Sequence, residues 1–294
     1  MYRSTALRAF SSQLLPKWKT HHMATISEAL QHCDDPSIRH IVSISGGKDS
    51  TALAIYMLRK YPQIPVEYVF CDTECELPET YEYLERLEAF LGKEIVRLSA
   101  KDLLNLDPSK RHKRNPFDIW LNEMYGGFLP SPRMRWCTRV LKIQPFEAYV
   151  GDDHAYSYIG IRGDEDRDGY VAKKPPALSE RPNIIPVYPF KDDRLGLVDV
   201  KALLEESGLG LPDYYRWRSR SGCYFCFYQQ IGEWQRLKEE HPGLFEKAKK
   251  YEKTTGRKRF TWTERRTLAE IAALPERYPL PHTDESEGCA ICHL

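Results

Sequence analysis

Ile41-Val42-Ser43-Ile44-Ser45-Gly46-Gly47-Lys48-Asp49-Ser50 is the stretch whose reading decides the fold. A short apolar run, strand-like in length, feeds a Gly-rich turn, and Thr51 to Lys60 continues as a helix. Strand, glycine turn and helix in that order build an anion cradle. Gly46 and Gly47 let backbone N–H groups turn inward, Ser45 and Ser50 add hydroxyls, and the helix N-terminus adds the positive end of its dipole. Lys48 supplies a mobile cation for a phosphate. The spacing is not that of the Walker loop, whose first Gly stands further from its Gly-Lys pair. A plain helix N-cap turn is the bland alternative, and the strand before and helix after weigh against it.

With 294 residues the chain can bury a large core, as one α/β domain or a domain with a smaller appendage. Net charge is +1, so any nucleic-acid contact must come from local patches. No apolar stretch approaches the about 20 residues of a membrane span, and no membrane partner is expected. Eight cysteines beside a nucleotide-type motif point to a reducing cytoplasm, with thiols used for metal or sulfur chemistry. Residues 1–27 read as an N-terminal extension. Arg3, Arg8, Lys17 and Lys19 with no acid before Glu28 fit a transit peptide, an added segment before a start at Met23, or a basic amphipathic arm. A cytoplasmic protein is the favoured expectation.

Further along, Val66 to Cys71 reads as a second buried strand, Glu79 to Gly92 as an amphipathic helix, and Glu94 to Leu98 as a third strand. Ala155 to Ile161 and Ile184 to Val187 read as a fourth and fifth, and Asp199 to Ser207 begins another helix. Alternation at this spacing implies an α/β, doubly wound parallel sheet with ligands beyond the carboxyl ends of its strands. Residues 108–135 are polar, Pro-rich and irregular, and read as an excursion from the core. The expected division is a nucleotide-handling domain over 28–211 and a small, Cys-containing, mostly helical basic and aromatic module over 212–294.

Four separated blocks resemble the phosphoadenosine phosphosulfate (PAPS) reductase family of PP-loop enzymes. They are Ser45-Gly46-Gly47-Lys48-Asp49-Ser50, Asp72-Thr73-Glu74-Cys75-Glu76-Leu77-Pro78-Glu79-Thr80, Trp136-Cys137-Thr138-Arg139-Val140-Leu141-Lys142, and Gly160-Ile161-Arg162-Gly163-Asp164-Glu165-Asp166-Arg167. The resemblance implies the adenine nucleotide alpha hydrolase-like fold and ATP bound at Ser45 to Ser50. PP-loop ATP pyrophosphatases cut ATP between the α- and β-phosphates and so adenylate a substrate. Read from the residues, Asp49 and Asp72 at the sheet's carboxyl edge are candidates to hold Mg²⁺. Arg162 and Arg167 suit bidentate contact with a phosphate. A turn-forming Asp72 and a surface ion pair of Arg162 with Asp164 or Asp166 are the structural alternatives.

Cys223-Tyr224-Phe225-Cys226 alone reads as half a zinc site or a redox pair. Joined to Cys137 in a PP-loop enzyme, it resembles a [4Fe–4S] site, with zinc or plain thiols as alternatives. Iron–sulfur members carry an adjacent Cys-Cys upstream; here Trp136 takes the first place, leaving three ligands. The tail, Cys289-Ala290-Ile291-Cys292-His293, departs from the reductase ending, so Cys289 and Cys292 stand as a sulfur relay or an extra ligand. Cys33, Cys71 and Cys75 read as packing thiols.

Basic clusters at Lys110 to Arg114, Arg133 to Arg139, Lys247 to Arg266, and the alternation Tyr214-Tyr215-Arg216-Trp217-Arg218-Ser219-Arg220 suit a nucleic-acid backbone with bases stacked on rings. A solvated face is the counter-reading. Three functions compete. The favoured one is an ATP pyrophosphatase activating a nucleic acid, DNA first, for sulfur insertion. It resembles the sulfur-activating component of bacterial DNA phosphorothioation systems of the Dnd and Ssp type, with a cysteine desulfurase as sulfur donor and other subunits of a modification complex as partners. The others are a PAPS or adenylylsulfate reductase, and a tRNA thiolation enzyme or non-catalytic nucleotide-binding subunit.

Overall fold

The computed structural model describes residues 23–103, 114–165, 179, 181–255 and 259–276. Its centre is a five-stranded, all-parallel sheet in the order β3-β2-β1-β4-β5. The strands are β1 (Ile38–Ile44), β2 (Val66–Asp72), β3 (Ile95–Ser99), β4 (His154–Tyr158) and β5 (Ile184–Val187). Side chains alternate across it: Val42, Ile44, Tyr68 and Phe70 enter one buried cluster, while Ile41, Val69, Cys71 and Ala155 enter another. Both faces are therefore covered, which is why β1 and β2 carry apolar residues at successive positions, as in Ile41-Val42 and Val69-Phe70-Cys71. Helices α1 (Ile26–Leu30), α2 (Lys48–Lys60), α3 (Pro78–Leu91) and α5 (Leu197–Glu206) contribute to the first cluster, and α4 (Gln144–Val150) to the second.

The sequence of strands turns one way from β1 to β3 and the other way through β4 and β5. The crevice at this reversal opens beyond the carboxyl ends of β1 and β4. The glycine turn after β1 and the Gly160–Arg162 segment after β4 both lie there. β4 stops at Tyr158, short of the expected Ile161, because the chain must pass α2 closely. A Cβ on Gly160 would sit 2.9 Å from the Asp49 carbonyl oxygen. β1 begins at Ile38, earlier than Ile41, paired there with His154 of β4.

A separate core lies beside the sheet. It is built from α6 (Ile231–Glu240), α7 (Pro242–Tyr251) and α8 (Leu268–Ala272) together with Cys75, Leu77, Phe117, Trp120, Leu129 and Trp136. This corrects the reading of residues 108–135 as an excursion: where described, the segment sends Phe117, Ile119, Trp120, Leu121 and Leu129 into the interior. The local pattern is polar because few residues there are core, but those few are large and aromatic. The Phe117 ring lies 4.2 Å from Phe225, 5.1 Å from Tyr251 and 5.3 Å from Trp136, centroid to centroid.

Phe117→Ala should lower stability by about 3–5 kcal/mol. Urea titration followed by tryptophan fluorescence checks this, since Trp120, Trp136, Trp217, Trp234 and Trp262 all belong to this core. A loss under about 1 kcal/mol would mean that the ring cluster is not one packed unit.

Candidate active site

The turn between β1 and α2 is held in shape by its own hydroxyls. The Ser45 backbone N–H donates to Ser50 Oγ at 3.0 Å, the two serine hydroxyls lie 3.0 Å apart, and Ser50 Oγ also donates to the Gly47 carbonyl at 3.2 Å. Gly46 has φ +70, a left-handed conformation that glycine adopts without strain. It also faces α3, where a Cβ would meet Thr80 Cγ2 at 2.6 Å. Three residues from beyond the sheet close on the turn. The Tyr214 hydroxyl donates to the Gly46 carbonyl at 2.7 Å, the Lys48 backbone N–H donates to the Tyr215 hydroxyl at 3.2 Å, and Ser221 Oγ donates to Ser45 Oγ at 3.3 Å.

Asp49 is buried at the first turn of α2 and is gripped from two sides. Lys48 Nζ lies 2.8 Å from one oxygen and Arg162 Nη1 lies 3.1 Å from the other. Burial works against the Lys48 ammonium, but Asp49 together with Tyr215 outweighs it and holds the pKa above its ordinary value. Arg162 also reaches Asp164 with Nε at 2.9 Å, and Asp164 in turn accepts from the Leu197 N–H at the start of α5. The crevice thus brings Ser45, Gly46, Gly47, Lys48, Asp49, Ser50 and Arg162 together. Arg167 lies outside the described residues.

Asp72 ends β2 on the same sheet edge. Its Oδ1 accepts from the Glu74 N–H at 2.7 Å and the Tyr81 hydroxyl at 2.8 Å, and Glu74 itself has φ 54. These hydrogen bonds are those of a turn-forming aspartate.

The three cysteines converge. Cys137, at the start of a helical run whose next segment, Arg139–Ile143, is a π-turn, lines one small cavity of about 40 Å³ with Cys223 and Cys226. Thr73, Leu141, Lys142 and Trp262 border it too. The Cys223–Cys226 loop is pinned by buried Arg218, whose Nη1 donates to the Gly222 carbonyl at 2.9 Å and Nη2 to the Cys223 carbonyl at 2.7 Å. Cys223 Sγ lies 3.2 Å from Thr73 Oγ1 and 3.7 Å from Glu76 Oε1. Burial pushes the Cys223 thiol well above its ordinary pKa, and Glu76 adds to the rise while Lys142 opposes it. Burial likewise raises the Glu76 carboxyl. Among the described residues no three His, Cys, Asp or Glu side chains close around a single ion. Thiolates spread around a cavity suit a multi-iron centre, whose ligands sit on different irons, better than one zinc with its short Zn–S bonds. Cys71 and Cys75 are packing thiols as expected, Cys71 donating to the Lys142 carbonyl at 3.3 Å with its pKa pushed up to about 12 by burial. Cys33 packs against the sheet's first cluster. Cys289 and Cys292 lie outside the described residues.

The aromatic and arginine alternation over 214–220 is corrected. Tyr214, Trp217 and Arg218 are buried, spent on the turn, the second core and the cysteine loop rather than offered to a strand, and buried Arg220 lies over the Tyr228 ring at 4.8 Å. Arg114 pairs with Glu123 and Arg139 with Glu147, so part of the other basic clusters is internally matched. Tyr214 and Tyr215 were read from sequence as base-stacking rings rather than as partners of the turn, and Ser221 there, with Thr73, Glu76 and Lys142 at the thiols, had no role assigned from sequence. Ser221 stands one residue before the Gly222-Cys223 step, and Thr73, Glu76 and Lys142 fall inside quoted blocks, which was the signal available.

A glycine turn at the switch point of a parallel sheet, with a thiol-lined cavity beside it, defines a doubly wound α/β protein with a ligand crevice at its strand-order reversal. The chain belongs to the phosphoadenosine phosphosulfate reductase domain family, whose model matches residues 39–234. Two uncharacterized proteins of Methanocaldococcus jannaschii are similar: one is 26% identical over 214 residues and the other 24% over 237, covering 70% and 79% of this chain. The chain spans 40% and 52% of their lengths, about half. A nin region protein of Escherichia phage lambda is 30% identical over 149 residues, covering 43% of this chain and 49% of that protein. Among solved structures, a PAPS reductase from Candida auris in complex with phosphate overlays at TM-score 0.44 and 16% identity, covering 67% of this chain and 86% of that one. A U34-tRNA thiolase from Methanococcus maripaludis with its [4Fe–4S] cluster overlays at 0.34 and 14%, covering 85% and 88%. No helix among the described residues is long and apolar enough to cross a membrane.

Gly46→Ala should destabilise the protein by about 1–3 kcal/mol through its positive φ, with the Thr80 clash adding to it. Thr80→Ala in the same chain should recover the clash and leave the backbone strain. Thermal unfolding of the single and double variants measures both; full recovery in the double variant would show that φ strain is absent. Protein purified without air should be brown, with broad absorbance near about 400 nm that Cys137→Ser diminishes. A colourless preparation carrying stoichiometric zinc would reject the cluster.

Proposed function

We propose that this protein is an ATP pyrophosphatase that adenylates an acceptor oxygen for sulfur incorporation, with DNA phosphorothioation as the process served. One observation carries the reading: Ser221 touches the nucleotide turn while Cys223, separated from it only by Gly222, lines the thiol cavity. Consecutive Cα atoms are about 3.8 Å apart, so the cradle and the sulfur-handling cavity are adjacent stations of one crevice. A reaction that joins ATP cleavage to sulfur delivery needs both within reach.

In this scheme the Ser45–Ser50 turn and the α2 N-terminus hold the β- and γ-phosphates. Lys48, released from Asp49 as a phosphate arrives, neutralises charge on the departing pyrophosphate. Asp49, through the oxygen that Lys48 vacates, and Asp72, through Oδ2 rather than the Oδ1 used by its turn, would offer carboxylate oxygens to Mg²⁺, and Arg162 with Arg167 clamps the α-phosphate side. The acceptor oxygen attacks the α-phosphorus and pyrophosphate leaves; hydrosulfide, released when a thiol reduces the desulfurase's persulfide and is itself oxidised to a disulfide, then displaces AMP, which carries the acceptor oxygen away with it. Cys137, Cys223 and Cys226 would hold a [4Fe–4S] cluster, whose chemistry is the handling of a sulfur ligand beside the activated acceptor.

The test is anaerobic incubation with Mg²⁺, ATP, cysteine and a desulfurase, with DNA and tRNA supplied separately, followed by mass spectrometry of the digested nucleotides. AMP, pyrophosphate and a sulfur-bearing DNA product are expected. Sulfur in the tRNA digest would reassign the acceptor, and ADP as the nucleotide product would overturn the reading. Sulfite released from PAPS with a thioredoxin, without ATP cleavage, would make the protein a reductase. Lys48→Ala should reduce pyrophosphate release by roughly 10²–10³-fold with an unchanged circular-dichroism spectrum.

A further inference from the structure

A larger cavity, of about 480 Å³, lies on the far side of the cysteine loop and takes no part in the scheme above. Its size is that of an ordinary small-molecule site. Lys247, Lys250 and Lys253 follow one another at three-residue spacing along the end of α7 and just past it, and all three border the cavity. All three are exposed, and among the described residues Lys247 and Lys250 make no ion pair. Lys253 Nζ donates to the Gly126 carbonyl at 2.9 Å and keeps its charge uncompensated by an acid there.

Of the three acids around the cavity, Glu74, Glu76 and Asp118, only Asp118 remains to set against the three lysines. Glu74 is paired with Lys101 at 2.6 Å. Glu76 turns one oxygen to Thr73 at 2.9 Å and leaves the other buried with no hydrogen-bond partner. The rest of the wall is mixed, Asn115, Asp118 and Asn122 standing beside Leu121, Leu244 and the Tyr224 and Tyr251 rings. A row of cations along one edge and rings within is the chemistry that takes a phosphate outside and a base inside.

Position strengthens the case. Glu76 borders this cavity and also touches Cys223 Sγ, while Tyr224 of the same loop forms part of the wall. The two cavities are therefore back to back, divided by the Glu76 side chain and the Cys223-Tyr224 step. We infer that this larger cavity receives one nucleotide of a nucleic-acid strand, its phosphate on the Lys247, Lys250 and Lys253 edge. The purpose of that binding, to present an acceptor beside the thiols, rests on the proposed function; the binding itself does not.

Fluorescence anisotropy of short fluorescein-labelled single strands of DNA and of RNA, with the full chain, tests the inference. Lys247→Glu/Lys250→Glu is compared with Lys201→Glu/Lys238→Glu, an equal charge change at exposed lysines that do not border the cavity. The first pair should weaken strand binding roughly tenfold or more at low salt and flatten the salt slope by roughly 0.7, for the one phosphate no longer neutralised. The second pair should leave affinity within about twofold. Equal weakening by both pairs, or none by either, overturns the site. Unlabelled CMP should compete poorly; displacement of the strand by CMP at comparable concentration would make a free nucleotide the occupant and overturn the strand. Pyrophosphate release from ATP is measured in parallel on the unaltered protein. Its absence alongside cavity-dependent strand binding would sink the activity reading and leave this site standing.

Discussion

Asp49 between Lys48 and Arg162 is the interaction on which the crevice depends. The three side chains come from the first turn of α2 and the segment after β4, so the ion pairs stitch the two sides of the strand-order reversal together. Buried charges are costly unless paired, and here each Asp49 oxygen has a cation within about 3 Å. Two cations share one buried carboxylate, and the second carboxylate that Arg162 reaches, Asp164, is half in water. The inner crevice therefore keeps a positive balance, which suits an incoming anion more than a neutral substrate. Gly160 contributes by its lack of a side chain, since the approach of β4's exit to Asp49 leaves no room for a Cβ.

The second core exists in the service of that crevice. Left alone, the glycine turn would have only its two serines to fix it. Tyr214, Tyr215 and Ser221 reach it because the helices behind them are packed on Phe117, Trp136 and Trp262. Arg218 is the most telling member. A fully buried guanidinium is tolerated because it donates to two carbonyls of the cysteine loop, so the loop's shape and the burial of the arginine depend on each other. His241 on Glu79 at 2.8 Å ties the same module to the start of α3.

What the sequence disclosed was local. Ser45 to Ser50 reads directly, because glycine, hydroxyl and strand-to-helix order are dictated by backbone geometry over a short stretch. The parallel sheet reads from its runs of Val, Ile and aromatic residues, and only β1 and β4 differ from that reading by more than a single residue at an end. The meeting of Cys137 with Cys223 and Cys226 came through resemblance, since nothing in the spacing of residues so far apart demands it. Tyr214 to Arg220 misled for a physical reason: a buried arginine and an exposed one are identical in sequence. Only the carbonyls of Gly222 and Cys223, presented by a turn, distinguish them. Phe117 and Trp120 were hidden likewise, many of their partners lying far along the chain in the C-terminal helices.

The thiol cavity has an electrostatic character of its own. Burial pushes Cys223 and Glu76 toward their neutral forms, and Lys142 is the cation that pulls both the other way. The wall is therefore drawn toward neutrality on its acidic side and carries a buried ammonium nearby. Thiolates or sulfide placed there would meet that ammonium, and the low-dielectric, largely apolar lining makes the attraction stronger than it would be in water. The nucleotide turn shows a related arrangement, with Lys48 and Arg162 sharing Asp49. Joined through Ser221 and Gly222, the two sites each carry a buried cation, Arg162 at the turn and Lys142 at the thiols, so fixed positive charge is withheld from bulk water on both sides of that short link.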